Sequence, residues 1–216
     1  MSYEVDMVRN PGLEHAAALL YDTRLPYHNF SHVMETLAAS RTLIERCRDA
    51  DLAVQPEIVY GALLFHDAGY QYDHELQGYD SKEAYSARLA ARVLNDYGIA
   101  ASIIDAVQAA ILATRCGAAC SSREARIVRA ADLAGLAHDY YLFRQNAWRL
   151  WREDIILGGV AVAWDDWRDQ AIHILEHFLA EDLGVSPACY AADGEPWLNK
   201  HGRRNIERLR QEPTPA

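Results

Sequence analysis

Alternating runs of β-branched residues are almost absent from this 216-residue chain, and alanine and leucine dominate instead. Apolar residues recur at the three- and four-residue spacing of amphipathic helices. No apolar run approaches the ~18 residues of a membrane-spanning helix, so no membrane partner is expected. The sequence therefore predicts an all-α fold, a bundle of about eight helices.

Positive charge is also scarce, with 21 lysines and arginines against 31 acidic residues and a formal net charge of −10. No basic block is present, which argues against nucleic acid as the main partner because phosphate-backbone binding requires clustered cations. A small phosphorylated substrate is not excluded, since a bound metal ion can supply the positive charge locally.

Cysteine is infrequent: the chain has four cysteines, and none of them forms a C-x-x-C motif. Cys116 and Cys120 could share a helix face, but no further soft ligand lies near them, which disfavours a structural zinc site. Free thiols are typical of a reducing compartment. Residues 1–6 lack the basic-then-apolar pattern of a signal peptide. We therefore expect a cytoplasmic protein.

Histidine and aspartate occur at three places where helix patterns predict buried surroundings. Ser31 is a plausible N-cap for a helix of about residues 32–48, which places His32 at its start. Pro56 opens an apolar helix that carries His66 and Asp67 near its end at Gly69.

The third place is a helix predicted from Ser121 or Ser122 to about Ala137. Val128, Asp132 and Leu136 are spaced four apart, so a carboxylate interrupts an apolar stripe. A buried carboxylate needs a cation, hydrogen-bond donors or a metal to stay ionised.

Two imidazoles and two carboxylates favour a catalytic divalent metal over a closed structural zinc site. We expect His32, His66, Asp67 and Asp132 to bind one divalent ion, with Mn²⁺, Mg²⁺, Fe²⁺, Co²⁺ and Zn²⁺ all open. Such an ion polarises a phosphoryl oxygen and lowers the pKa of a bound water.

The order His32, His66-Asp67, Asp132 resembles the H…HD…D signature of the HD-domain superfamily of metal-dependent phosphohydrolases. More narrowly, the chain resembles the bacterial group described as predicted metal-dependent HD phosphohydrolases. The segments that carry this resemblance are Tyr27-His28-Asn29-Phe30-Ser31-His32, Phe65-His66-Asp67-Ala68-Gly69-Tyr70, Glu83-Ala84-Tyr85-Ser86-Ala87, Ala131-Asp132-Leu133 and Arg203-Arg204-Asn205-Ile206.

The chain departs from related proteins in ways that bear on the metal count. The group commonly has a histidine soon after the position of Thr114, and this sequence has none there. Between Asp67 and Asp132 the only histidine is His74. HD proteins with two metals use extra histidines in that interval, so the sequence favours one metal. Tyr70 stands where HD nucleotidases often have a glutamate or lysine.

The resemblance implies hydrolysis of a phosphate ester, of which a nucleotide is one candidate, by a metal-activated water. His66 and Asp67 are then the catalytic residues. We expect His28, Tyr70, Glu83 and Arg115 to bind substrate, Arg115 through a bidentate contact to phosphate. Two alternatives stay open: a di-iron oxygenase, and a non-catalytic sensor of metal or nucleotide.

The length and the apolar content predict a single domain over residues 1–211. Its metal-binding core should cover about residues 25–140 and its C-terminal helices residues 141–211. Residues 212–216 should form a disordered tail. A homo-oligomer is possible, because the aromatic helix after residue 139 could face a second copy.

Overall fold

A computed structural model describes residues 9–214, and the regular structure in this part of the chain is helical. The prediction of an all-α fold is confirmed, with nine α-helices against the eight expected for the whole chain. The helices are α1 (Pro11–Ala18), α2 (Phe30–Arg48), α3 (Pro56–Phe65), α4 (Lys82–Asp96), α5 (Ala101–Leu112), α6 (Arg123–Asp132), α7 (Tyr140–Gly158), α8 (Trp164–Leu179) and α9 (Trp197–Leu209).

Three predicted helix ends differ from the structure near the metal-binding residues. Helix α2 is capped by Asn29 rather than Ser31, because the Asn29 side chain accepts the Ser31 backbone N–H at 2.8 Å. Helix α3 ends at Phe65, so the His-Asp pair lies in the following turn. Helix α6 ends at Asp132 instead of Ala137, and the next five residues form a tighter 3₁₀ helix.

Helices α1 to α6 enclose the larger of two hydrophobic cores. Helix α3 lies at its centre, where every residue from Ile58 to Phe65 is buried. A helix that is apolar on all sides can be stable only inside such a core. The α3 axis therefore brings its C-terminal turn into the interior between α2 and α6.

Helices α7 to α9 form the second core together with the 3₁₀ helix Leu133–Ala137. Asn205 links α9 to the 3₁₀ helix. Its buried side-chain amide donates to the backbone carbonyls of Leu136 at 2.8 Å and His138 at 2.9 Å. These bonds fix the chain just after Asp132. In residues 9–214 no helix has the length and apolar character needed to cross a membrane.

Glu212 is the first residue of the segment 212–216 that was predicted to be a disordered tail. Glu212 is held by Tyr140 at 2.6 Å and by Arg144 at 2.9 Å, and its carbonyl accepts the Trp164 indole N–H at 3.3 Å. Aromatic and basic residues of α7 and α8 therefore bind Glu212, whereas disorder of the rest of the segment stays a prediction. Residues 215–216 and the N-terminal segment 1–8 lie outside the described residues.

Candidate metal centre

The four predicted metal-binding residues converge although they lie on three separate segments. His32 is the third residue of α2, His66 and Asp67 follow α3, and Asp132 ends α6. One ligand atom from each residue lies within 4.8 Å of all the others. His66 Nε2 is 2.9 Å from Asp67 Oδ2 and 3.3 Å from Asp132 Oδ1, and His32 Nε2 is 3.1 Å from Asp132 Oδ1.

These separations suit a common metal ion. Ligand atoms about 2.0–2.2 Å from a first-row divalent metal lie about 3–3.5 Å from their neighbours in its coordination shell. The separation between His32 Nε2 and Asp67 Oδ2, 3.8 Å, is wider. Within residues 9–214 no second cluster of this kind is found.

The hydrogen bonds of His66 provide an independent test of the metal hypothesis. Its Nδ1 lies 2.9 Å from the carbonyl of Leu63, which accepts a hydrogen bond from it and so assigns the proton to Nδ1. Its Nε2 is fully buried and has no hydrogen-bond partner of acceptable geometry, although two carboxylates are near. A buried polar atom without a partner costs free energy. A metal ion at the centre of the cluster would satisfy it.

Both carboxylates of the cluster are ionised at neutral pH. Burial alone would raise the pKa of Asp67, but His66 and His28 outweigh this effect and hold it well below the usual range. Burial opposes ionisation of Asp132 in the same way, and His66 and His32 lower its pKa below the usual range. The cluster therefore offers two negative charges for a divalent ion.

The imidazole of His66 responds to those charges in the opposite direction. Burial would lower its pKa, whereas the carboxylates of Asp67 and Asp132 raise it well above the ordinary value in the metal-free cluster. A proton then occupies the position that a metal would take. Protons and metal ions therefore compete for this site.

The turn that carries Asp67 is packed tightly against α4. The Gly69 backbone N–H donates to Ser86 Oγ at 2.9 Å. A Cβ at Gly69 would lie 2.8 Å from Tyr85 Cδ1 and 3.1 Å from the Ser86 backbone nitrogen. Only glycine fits here without displacement of its neighbours. The close packing against α4 therefore fixes the backbone that follows Asp67.

His28 forms a second ionisable pair at the edge of the cluster. Its Nδ1 hydrogen-bonds Glu153 of α7, whose side chain is fully buried. The other oxygen of Glu153 accepts the backbone N–H groups of Tyr27 and His28, both at 2.9 Å. Glu153 thus fixes the ring of His28 and places the proton on Nδ1, which leaves Nε2 for the adjacent cavity.

The charge states of this pair follow from its surroundings. Burial lowers the pKa of His28, and the nearby carboxylates of Asp67 and Glu153 offset part of that decrease. Burial would raise the pKa of Glu153, but its bonds to His28 and to the backbone lower it. At neutral pH the pair therefore consists of a neutral imidazole and a carboxylate.

Tyr70 and Lys82 extend the site outward. The rings of His28 and Tyr70 stack with centroids 3.7 Å apart, and Lys82 Nζ lies 4.0 Å above the Tyr70 ring. This contact places an ammonium group at the cavity edge, and Lys82 has no ion pair with any residue in the described range 9–214. Lys82 can therefore attract an anionic group to the metal cluster.

A cavity of about 620 Å³ opens next to the cluster. Its lining includes the four predicted substrate-binding residues, His28, Tyr70, Glu83 and Arg115. His28 contacts both the cluster and the cavity, Glu83 is buried, and Arg115 is exposed. The structure brings all four to one cavity. Their contacts with substrate stay a prediction.

Buried Arg129 fixes the loop that bears Arg115. Its guanidinium donates to the carbonyls of Ala113 at 2.7 Å, Arg115 at 3.0 Å and Ala118 at 2.5 Å, and it pairs with Glu181. Because Arg129 lies one helical turn before Asp132, it couples this cavity wall to the α6 helix. Arg129 has no place in the sequence-based prediction.

Glu153 and Lys82 are further residues that the sequence-based prediction missed. Glu153 had a detectable signal: Phe143, Ala147, Leu150 and Glu153 recur at helical spacing, so a carboxylate occupies an apolar stripe of α7. The same reasoning had identified Asp132. Lys82 gave no such signal, since it follows a predicted helix start like many solvated lysines.

Residues 29–134 match the family model of the HD domain, a segment that contains all four residues of the cluster. This match supports membership of the chain in the HD-domain superfamily. This family consists mostly of metal-dependent phosphohydrolases. The HD-domain match begins at Asn29, the cap of α2, and ends in the 3₁₀ helix after Asp132. A search of curated proteins found no match to the chain.

Proposed function

We propose that this HD-domain protein is a phosphohydrolase that uses one divalent metal ion to hydrolyse a phosphate ester of a small molecule. The observation that carries the proposal is the buried, unpartnered Nε2 of His66 inside a cluster of two carboxylates and a second histidine. Oxygen and imidazole ligands of this kind suit Mn²⁺, Mg²⁺, Fe²⁺, Co²⁺ and Zn²⁺ alike. The narrower resemblance to predicted metal-dependent HD phosphohydrolases supports the same reaction.

His32, His66, Asp67 and Asp132 would hold the ion. When bound, a divalent metal polarises a phosphoryl oxygen and lowers the pKa of a coordinated water. The two carboxylates balance the charge of such an ion, so the cluster with its metal is close to neutral. Attraction of a phosphate group then depends on cations at the cavity edge, of which Lys82 and Arg115 are candidates.

In this proposal His28 moves a proton. As a neutral imidazole it accepts the proton of the attacking water at Nε2, and Glu153 stabilises the imidazolium through Nδ1. The imidazolium then returns its proton to solvent, and a solvent water protonates the oxygen of the departing alcohol. Water and phosphate ester thus give alcohol and phosphate, and His28 returns to its neutral form.

A metal-dependent activity screen tests the proposal. Purified protein should hydrolyse simple phosphate esters in the presence of at least one of the five metals and lose that activity with a chelator. His66→Ala and Asp67→Ala should reduce kcat by about 10²-fold or more, as is typical when a catalytic group is removed. His173→Ala, on the exposed face of α8, is the matched control and should retain activity.

Two results would overturn the proposal. Metal binding without turnover on any ester would favour the non-catalytic sensor. Two coupled irons per chain would favour the oxygenase, for which residues 9–214 offer no second cluster of ligands.

A further inference from the structure

The cavity beside the metal cluster has two unlike ends. One end is formed by Asp67, Asp132, His28 and Lys82, all polar or charged. The other end is formed by α7 and α8, whose lining residues are mostly apolar, with Asn146, Asp154 and Gln170 as the polar exceptions. A cavity of about 620 Å³ is in the range that holds a small organic molecule.

The apolar end of the cavity is lined by one apolar face of α7 and one of α8, and the two faces have the same residue spacing. Helix α7 presents Phe143, Ala147 and Leu150, and α8 presents Ala171, Leu175 and Phe178. Each set has the i, i+4, i+7 spacing of one helix face. The two faces thus form a continuous apolar wall, which in this article means these six residues.

Of the three polar side chains that these helices add to the cavity, two are engaged in hydrogen bonds and the third, Gln170, is exposed. Asp154 accepts the indole N–H of Trp167 at 2.5 Å, and the carbonyl oxygen of Asn146 accepts from Arg149 at 3.3 Å. A sugar or base buried against the apolar wall would leave its own polar atoms without partners, which costs free energy. An alkyl or aryl group would not.

We infer that the substrate is a phosphate monoester of an apolar alcohol, with the phosphate at the metal cluster and the alkyl or aryl group against the apolar wall. This inference rests on the proposed function and narrows its substrate class. It disfavours a nucleotide, because the wall offers shape and apolar contact rather than hydrogen bonds. The volume would accept a chain or ring system larger than a methyl or ethyl group.

Non-hydrolysable n-alkylphosphonates test the inference by binding alone. Calorimetry with the Mn²⁺-loaded protein should give tighter binding from methyl- to butyl- to octylphosphonate. A fully buried methylene contributes about a fourfold gain in affinity, so partial burial should still make octylphosphonate at least about tenfold tighter than methylphosphonate. An equal affinity for all chain lengths, or no binding of any phosphonate, would overturn the inference.

Variants locate the effect. Ala171→Phe fills part of the cavity from the apolar wall and should collapse the ratio of octyl- to methylphosphonate affinity. His173→Phe adds the same ring on the exposed face of α8 and should keep the ratio. A ratio that survives Ala171→Phe would place the alkyl chain elsewhere and contradict the inference.

Parallel hydrolysis assays separate this inference from the proposed function. Metal-dependent hydrolysis with kcat/KM independent of chain length, or a preference for nucleoside monophosphates, would overturn the substrate class alone. Chain-length-dependent binding without hydrolysis of any alkyl phosphate would support the apolar site and overturn the phosphohydrolase.

Discussion

Glu153 Oε1 accepts a hydrogen bond from Nδ1 of His28, a residue 125 positions earlier in the chain. This contact joins the C-terminal helices to the loop that precedes His32, the first residue of the candidate metal cluster. It gives α7 two roles, since the same helix supplies the apolar wall of the cavity and the carboxylate that orients His28. The C-terminal helices therefore complete the site of the HD domain.

Glu153→Gln tests the His28 pair. The amide keeps the size of the side chain but removes the charge that stabilises the imidazolium, so kcat should fall about 10–100-fold. Loss of the carboxylate also lowers the pKa of His28, because Glu153 raises it. The limb of the pH–rate profile that reports protonation of His28 should move to lower pH. Asp105→Asn, an exposed carboxylate on α5, is the control. An unchanged profile and kcat in Glu153→Gln would contradict this role.

Metal binding should release a proton at neutral pH. In the metal-free cluster the raised pKa of His66 keeps its imidazole protonated, while the lowered pKa values of Asp67 and Asp132 leave both carboxylates ionised. The metal must displace that one proton, so apparent affinity falls as the pH is lowered and rises until the raised pKa is passed. Calorimetry in two buffers of different ionisation enthalpy should show about one proton released per metal. No release at pH 7 would be inconsistent with this competition.

Gly69→Ala should disturb the turn after Asp67. The new methyl would meet Tyr85 and the Ser86 backbone at distances below normal contact, so we expect a loss of about 1–3 kcal/mol in the free energy of unfolding. Because the turn carries a metal-binding residue, metal affinity should fall as well. Gly158→Ala, whose Cβ would make only an ordinary contact with Val160, is the control. Thermal denaturation and metal titration measure both effects, and a wild-type result in both would show that the turn adapts.

Arg129→Met should destabilise the protein by about 2–3 kcal/mol, because it leaves one buried and two partly buried backbone carbonyls without their donor. Chemical denaturation measures the loss. Arg92→Met, on the exposed face of α4, should change stability little. Equal free energies of unfolding for the two variants would contradict the stabilising role of the buried Arg129 guanidinium in the loop between α5 and α6.

The sequence was sufficient to predict which residues form the cluster, because several of them give a local signal; metal binding by them stays a prediction. His66 and Asp67 end an apolar helix, and Asp132 interrupts an apolar stripe. The helix ends were less predictable: Asn29 competes with Ser31 as a cap, and the change to a 3₁₀ helix after Asp132 depends on Asn205 of the distant α9.

The outer part of the site could not be predicted for a different reason. Residues such as Phe143 and Leu150 fit a core equally well as a cavity wall, and only the packing of α7 and α8 leaves space between them. The pairing of Glu153 with His28 is likewise a product of tertiary packing. Sequence periodicity identifies a buried carboxylate but not its partner.

Counting and locating the metal tests the central claim most directly. Protein equilibrated with Mn²⁺ and freed of excess ion should contain one metal per chain by elemental analysis, and His66→Ala should contain much less. Anomalous scattering from crystals should place that ion among His32, His66, Asp67 and Asp132. Absence of a stoichiometric metal, or an ion bound away from these four side chains, would contradict the account.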